Sequence, residues 1–350
     1  MKQCWDWKVV QSTLITKARV LVSNSYDPYF NLGLEEYLLE NVGEEEIILY
    51  LWRNENTVVI GRNQNPWNEC NLEYLAEVKG KLARRLSGGG AVYHDLGNVN
   101  FTFLTHENNE NLKVQLEVIV KALYNVGIQA EFSGRNDILV DGKKISGNAF
   151  YWDNSKYYHH GTLLYDVDIE RLTKILTPSM DKLTSKGIES VRSRVKNLKE
   201  CQIGLTIEDI IKEIIKTFRN IYMDIGEVQV IDEKSINIQK YVDKYSNAKW
   251  IYGESPEFNA IINKRFNYGK VEINLLIKDG VAKNCKIYTD SLFVREFIII
   301  EEIITGCYFD KEHIKEALLD NKTLFSKDSL MILNDIIGMI NENILSANVN

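Results

Sequence analysis

Apolar and polar positions along the chain fall into two periods. Short apolar or alternating runs predict strands at residues 20–22, 47–52, 57–60, 91–93 and 99–104. Arg53-Asn54-Glu55-Asn56 separates two of these runs, and 47–52 with 57–60 is expected to form a hairpin. Helical spacing appears after Asp27-Pro28, where Phe30, Leu34, Tyr37 and Leu38 share a face and Pro suits the first turn. It returns at 112–126, with Leu116, Ile119, Val120 and Leu123, and at 207–222, with Ile210, Ile211, Ile214, Ile215 and Phe218. These stripes read as core. A polar stretch, 232–249, weakens the pattern. Beyond it, 270–277 and 281–288 flank Lys278-Asp279-Gly280 as a hairpin, followed by helical patterns at 292–305 and 329–345. The order is mixed rather than a regular strand–helix alternation, so the fold class is α+β and not doubly wound α/β.

Four stretches carry candidate chemistry. The first is Arg84-Arg85-Leu86-Ser87-Gly88-Gly89-Gly90-Ala91-Val92-Tyr93-His94-Asp95. Glycine permits φ > 0 and close backbone approach to a ligand. Successive N–H groups in such a turn can converge on an anion, and an Arg fork grips carboxylate or phosphate. Neither a dinucleotide fingerprint nor a Walker loop is present, because the Gly spacing and the Lys-Ser/Thr pair are absent. The second is a hairpin in which Asp141-Gly142 joins 138–140 to 143–145. Its pairing sets Val140 opposite Lys143, Leu139 opposite Lys144 and Asp137 opposite Ser146, and alternation gives Asp137, Lys144 and Ser146 one polar face. Spacing alone reads Lys144 as a solvated strand edge. The third is His159-His160-Gly161-Thr162, where adjacent residues point to opposite faces of a strand; the pair alone reads as structural, and a role for one imidazole at a ligand comes only with the resemblance below. The fourth is 179–199, a local basic run with Lys182, Lys186, Arg192, Arg194, Lys196 and Lys199.

These stretches, with Ser25-Tyr26-Asp27-Pro28, Leu51-Trp52-Arg53-Asn54, Val59-Ile60-Gly61-Arg62, Gln64-Asn65-Pro66-Trp67, Ser133-Gly134-Arg135-Asn136-Asp137 and Lys144-Ile145-Ser146-Gly147, resemble the lipoate–protein ligase A family. The resemblance runs from about residue 19 to 350. It implies a biotin-ligase-like catalytic domain of mixed β-sheets flanked by helices, plus a small C-terminal α+β domain. With the patterning it divides the chain into an extension of open role at 1–18, a catalytic domain at 19–247, a linker at 248–255 and an accessory domain at 256–350.

The resemblance also implies roles. Lys144 matches the family's catalytic lysine. Arg85, Ser87, Gly88, Gly89, Gly90, His94, Lys144, His160 and Gly161 would bind lipoate. Arg85, Gly90, Ala91, Val92, Tyr93, Asn136, Asp137, Lys144, Gly147, Lys186, Arg192 and Arg194 would bind ATP or the adenylate, with 179–199 as a loop closing over it. The chemistry needs such a lysine. A carboxylate attacking the α-phosphate of ATP brings two anions together, and a compact cation between them stabilises the developing charge. Asp137 would either orient Lys144 or hold Mg2+ beside the phosphates. The implied substrates are lipoate and Mg-ATP, without a tightly bound prosthetic group. The acceptors are apo lipoyl domains of 2-oxo acid dehydrogenase complexes and the glycine-cleavage H protein. Trp52, Val59 and Tyr93 are candidate walls for the dithiolane.

Composition narrows the alternatives. The 350 residues carry a net charge of -7 and are 45% hydrophobic, an ordinary globular balance that disfavours nonspecific nucleic-acid binding. Five scattered cysteines, with no paired ligand spacing and no long apolar run, suggest reduced thiols in a cytoplasmic protein without a membrane span. A monomer is expected. An ATP-independent lipoyl or octanoyl transferase on the same fold is the second reading; such enzymes often use a cysteine nucleophile, and none lies between Arg84 and Lys199. A biotin ligase would carry a Gly-Arg-Gly-Arg-type loop, which is absent. A non-catalytic lipoate sensor would not need a lysine between two anions.

Overall fold

The computed structural model describes residues 15–133, 136–176, 194–222, 226–252 and 260–343. The chain divides into two compact units. The first comprises Met1–Val59, Cys70–Ala83 and Val92–Asn247, and the second Ile60–Glu69, Arg84–Ala91 and Ala248–Asn350.

Strands β1 (Lys17–Ser23), β2 (Glu46–Trp52), β3 (Thr57–Ile60), β4 (Lys81–Arg84), β5 (Val92–His94), β6 (Asn98–His106), β7 (Glu131–Phe132), β8 (Asp137–Val140), β9 (Lys143–Asp153), β10 (Lys156–Leu164) and β11 (Gln229–Ile231) build two sheets. The larger has the order β11-β1-β2-β6-β10-β9-β8-β7, and the smaller the order β4-β3-β5. β1 runs parallel to β2 and β11, while β6, β9 and β10 pair antiparallel. The sheet is therefore mixed, as expected of an α+β fold.

Helices α1 (Pro28–Asn41), α2 (Leu112–Asn125), α3 (Ile169–Ile175), α4 (Ile207–Tyr222) and α5 (Gln239–Ser246) belong to this unit. The Asp27 side chain caps α1 by accepting from the N–H groups of Tyr29 and Phe30, with Pro28 in the first turn. One sheet face carries Ile47, Leu49, Leu51, Val99, Phe101, Phe103 and Leu163. It buries them with Leu116, Ile119 and Leu123 of α2 and Ile210, Ile214 and Phe218 of α4. The opposite face is different. Tyr50, Thr102 and His160 form one row across β2, β6 and β10, and Trp52, Asn100 and Thr162 form the next. α1 supplies Glu35 to this second, polar face.

In the second unit, β12 (Ala260–Phe266), β13 (Gly269–Lys278) and β14 (Val281–Thr289) form an antiparallel sheet. Asp279 and Gly280 turn the predicted hairpin with φ of +53° and +70°. α6 (Arg295–Ile304), α7 (Lys311–Asp320) and α8 (Leu330–Asn343) share a core with it through Phe297, Ile300, Leu318 and Ile336.

Two local expectations fail. Residues 47–52 and 57–60 do not form a hairpin, because β2 lies between β1 and β6 while β3 joins the other sheet. The cause is the connection. Asn31 Nδ2 donates to the Arg53 carbonyl at 2.9 Å and to Asn54 Oδ1 at 3.0 Å, which holds the chain bent away from the first sheet. In the Asp141-Gly142 hairpin, the Leu139–Lys144 and Val140–Lys143 pairs stand as expected. An irregularity between Ile138 and Leu139 then sets Asp137 opposite Gly147 rather than Ser146, and Ser146 is fully buried. The polar stretch 232–249 contains α5, which Gly33 of α1 approaches so closely that a Cβ there would stand 3.1 Å from Tyr241 Cβ.

Candidate active site

The predicted site residues divide between the two units. In the second unit, Arg85 is buried and folds back onto its own loop. Its Nε donates to Ser87 Oγ at 3.0 Å, and one terminal nitrogen donates to the carbonyls of Gly88 at 2.6 Å and Gly90 at 2.8 Å. Gly89 has φ +90°, the left-handed conformation expected of this stretch. Its N–H donates to the Ser291 carbonyl at 2.8 Å instead of standing in an open anion nest. A Cβ at Gly88 would meet the same carbonyl at 2.4 Å, whereas Gly90 is exposed in open space. Ala91 is half-buried.

Arg84 has a different role from its neighbour. Its guanidinium donates to five carbonyls, those of Gly61, Arg62, Gln64, Trp250 and Ile251, at 2.6–3.1 Å. Burial, then the nearby Arg62 charge, lowers its pKa to about 10. The Arg84 fork is thereby committed to main-chain carbonyls.

In the first unit, the hairpin turn has φ of +51° at Asp141 and +72° at Gly142, matching a type I′ turn. Lys144 Nζ lies 2.8 Å from Asp137 Oδ1, with both side chains about one-third exposed. A Cβ at Gly147 would stand 3.0 Å from that ammonium, so glycine leaves room for the lysine to lie across the strand. The carbonyl of Asn136 accepts from the backbone and side-chain nitrogens of Asn148, at 2.8 and 3.0 Å, which fixes the start of β8.

The histidine pair separates as alternation predicts. His159 is fully buried among Phe101, Phe103 and Phe150. Burial first, then the neighbouring His160, lowers its pKa to about 3, so the ring is neutral. A neutral ring has one N–H. Asn148 spends its amide nitrogen on Asn136, so its oxygen, 2.9 Å away, accepts from His159 Nε2. Nδ1 is then the acceptor; Gln115 Oε1 stands 3.1 Å from it while Gln115 Nε2 is buried without a hydrogen-bond partner, so exchanging the two amide positions satisfies both groups. His160 lies on the polar face, with Nδ1 2.9 Å from Glu35 Oε1. Thr102 Oγ1 donates to the same oxygen at 2.7 Å and accepts from Trp52 Nε1 at 3.0 Å. Beside His160, Gly161 is forced to lack a side chain, since a Cβ would meet Phe101 Cζ at 2.4 Å.

Val92, Tyr93 and His94 pair with Val59, Val58 and Thr57 in the small sheet. His94 Nδ1 meets Asn54 Nδ2 at 3.2 Å, and the Tyr93 hydroxyl donates to Asn56. Asp95 instead accepts from the N–H groups of Gly97 and Asp168, so it does not pair with His94; burial raises its carboxyl pKa. Trp52, Val59 and Tyr93, the candidate dithiolane walls, are all buried. Lys186, Arg192 and most of the expected closing loop lie outside the described residues. Arg194 is described. It is exposed, and its carbonyl accepts from the Lys144 N–H at 2.7 Å.

Sequence reasoning missed Glu35, Gln115 and Asn148. The usable signal for Glu35 was its spacing four residues after Asn31 beside the apolar stripe of α1, which places two polar groups on a buried face. Among the described residues no three His, Cys, Asp or Glu side chains gather as a metal cage. With Asp137 already beside Lys144, the donor set suits at most an ion carried in by a nucleotide.

An α+β body with a polar sheet face and a lysine hairpin, followed by a separate sheet-and-helix unit, is the frame in which the comparisons identify a lipoyl ligase catalytic domain. The Lipoyl protein ligase A/B catalytic domain family matches residues 27–219, and the Bacterial lipoate protein ligase C-terminus family matches residues 255–340. The chain is 40% identical over 311 residues to Lipoate-protein ligase A of Bdellovibrio bacteriovorus, covering 87% of this chain and 92% of that protein. It is 42% identical over 282 residues to the Blochmanniella floridana protein of the same name, covering 78% and 84%. The P. falciparum LipL1 structure in complex with lipoate superposes with a TM-score of 0.80 at 34% identity, covering 93% of this chain and all of that one. The chain belongs to the lipoate–protein ligase A family.

Proposed function

We propose that the protein activates free lipoate with ATP to lipoyl-AMP, releasing pyrophosphate, and passes the lipoyl group to a lysine of an acceptor lipoyl domain. The observation that carries this is the Lys144–Asp137 pair at 2.8 Å on a type I′ hairpin, in a chain of this family. Lys144 supplies the compact cation for carboxylate attack on the α-phosphate, and Asp137 orients it. A magnesium ion, delivered with the nucleotide, would take Asp137 as its ligand from the chain and neutralise phosphate charge. Arg85, Ser87 and Gly88–Gly90 with His94, His160 and Gly161 are assigned to lipoate. Ala91, Val92, Tyr93, Asn136, Gly147, Arg194, Lys186 and Arg192 join Arg85, Gly90 and Lys144 for ATP and the adenylate.

Related structures support the substrates. One is titled lipoate-protein ligase A bound with ATP, at TM-score 0.58 and 25% identity, covering 68% of this chain and 99% of that one. Another pairs an archaeal bi-partite lipoate protein ligase with its E2 lipoyl domain, at TM-score 0.61 and 26% identity, covering 69% and 98%. The separate family match at 255–340 favours a ligase over an ATP-independent transferase, and it supports the division into catalytic and accessory domains at 19–247 and 256–350. Free thiols at Cys201, Cys285 and Cys307 support a reducing, cytoplasmic setting, and no described helix is long and apolar enough to cross a membrane. The protein is assigned as a monomer, which sedimentation checks.

Incubation with lipoate, ATP and an apo lipoyl domain tests the reading. Pyrophosphate release and an acceptor mass gain are expected, both dependent on ATP. A mass gain without ATP would assign the transferase reaction instead.

A further inference from the structure

Strand β9 loses one neighbour before it reaches its functional lysine. Its ladder with β10 covers Asn148 to Asp153 and stops there. On the other side it pairs with β8, where Lys144 stands opposite Leu139. In a two-residue hairpin the pair next to the turn exchanges hydrogen bonds and the following pair does not. The N–H and carbonyl of Lys144 therefore point away from β8, toward the side that β10 has vacated. Two polar groups on that side need partners.

They find them in three residues distant in sequence. The Lys144 N–H donates to the Arg194 carbonyl at 2.7 Å, and the Lys144 carbonyl accepts from the Lys196 N–H at 3.0 Å. Val195 thus forms a single parallel bridge with Lys144. The Lys196 ammonium also reaches Asp141 of the hairpin turn at 2.8 Å, although Asp141 is 76% exposed and such a pair contributes only about 0–1 kcal/mol.

We propose that Arg194, Val195 and Lys196 are positioning residues for the ligation reaction, holding the main chain of Lys144 so that its ammonium is preset for adenylation. The inference rests on the assignment of Lys144 to that step. A side chain can reach a transition state repeatedly only if its Cα is fixed, and the ion pair with Asp137 fixes only the far end of the lysine. The main-chain bridge fixes the near end. It acts through two hydrogen bonds that no side-chain substitution at 194 or 196 removes, apart from one. Proline at 196 deletes the N–H that the Lys144 carbonyl accepts.

Amide hydrogen exchange on the wild-type protein, with lipoate binding and pyrophosphate exchange on Lys196→Pro, forms the test. The Lys144 amide is expected to be protected well above that of Gly142 in the turn. Lys196→Pro is expected to lower the kcat of adenylation by about 10- to 100-fold, the scale of a misplacement near 1 Å, with KM for lipoate and ATP within about twofold. Asp141→Asn, which removes the ion pair but keeps an Asn-Gly turn, should change kcat by less than about twofold. An unprotected Lys144 amide overturns the proposal even if Lys196→Pro fails to fold. Normal kcat in a folded Lys196→Pro overturns it too, as does an Asp141→Asn loss as large as that of proline. Full activity of Lys144→Ala would instead overturn the assignment of Lys144, leaving the exchange result to report on the bridge alone.

Discussion

Lys144→Ala is expected to separate catalysis from folding. The change deletes the cation that stands 2.8 Å from Asp137, and both side chains are about one-third exposed. An ion pair that open to water contributes about 0–1 kcal/mol to stability. The end of the lysine, Nζ and Cε, lies over Gly147. Thermal unfolding should therefore move little. The barrier to adenylation should rise far more, because a charge set in place beforehand acts on two anions as they meet. Loss of one such group costs about 2.7–4 kcal/mol, or roughly 10²–10³-fold in rate. ATP–pyrophosphate exchange with lipoate measures the step, and circular dichroism melting measures the fold. Lys144→Arg should not restore the rate, since a planar guanidinium is wider than the ammonium for which Gly147 leaves room. Exchange within about threefold of wild type, at unchanged melting temperature, would refute the reasoning; so would a loss of exchange fully accounted for by unfolding.

Other substitutions probe other parts. Gly161→Ala drives a Cβ to 2.4 Å from Phe101 Cζ and 2.6 Å from Asn148 Oδ1, and overpacking of this kind should cost about 1–3 kcal/mol in urea unfolding. A loss under about 0.5 kcal/mol would mean the strand shifts freely. Gly89→Val meets φ +90° and a terminal nitrogen of Arg85 at 3.0 Å, so lipoate affinity by calorimetry should fall sharply; unchanged affinity would confine the glycine to the turn. His159 ionises near 3 when folded but near 6.5 when unfolded, so the unfolded chain binds the extra proton first. Its contribution is complete above pH 6.5 and is lost as pH falls toward 3, on the order of 1 kcal/mol per pH unit. Denaturation curves should show that slope weakened in His159→Gln.

Much of the fold was legible because strong periods have one solution. α4 occupies the predicted residues, 207–222, since its isoleucines fall on one face from end to end. The Asp141-Gly142 turn was legible for a related reason: two successive residues at φ > 0 leave few sequences. What failed was long-range. Nothing local in 53–56 shows that Asn31, on α1, will pull that connection off the sheet. Asp137 was one position out because an irregularity in the ladder leaves no mark on alternation. The Lys144–Asp137 pair was legible from the strand face and the family motif together. Glu35 beneath His160, and Arg194–Lys196 beside Lys144, were not, because each joins residues far apart in sequence through geometry alone.

The carbonyl cage around Arg84 has a consequence for synthesis. Trp250 and Ile251 supply two of its five acceptors, and Trp250 returns a bond from its indole N–H to the Arg84 carbonyl at 2.9 Å. Arg84 and Trp250 are 166 positions apart, so at about 5–20 residues per second the ribosome needs roughly 8–33 s to travel between them. Throughout that time the guanidinium has only the carbonyls of Gly61, Arg62 and Gln64 to donate to, and its cage stands incomplete. The glycine stretch leaves the ribosome early but acquires its anchor late, and a nascent chain that ends before residue 250 cannot hold it in the form the finished protein uses.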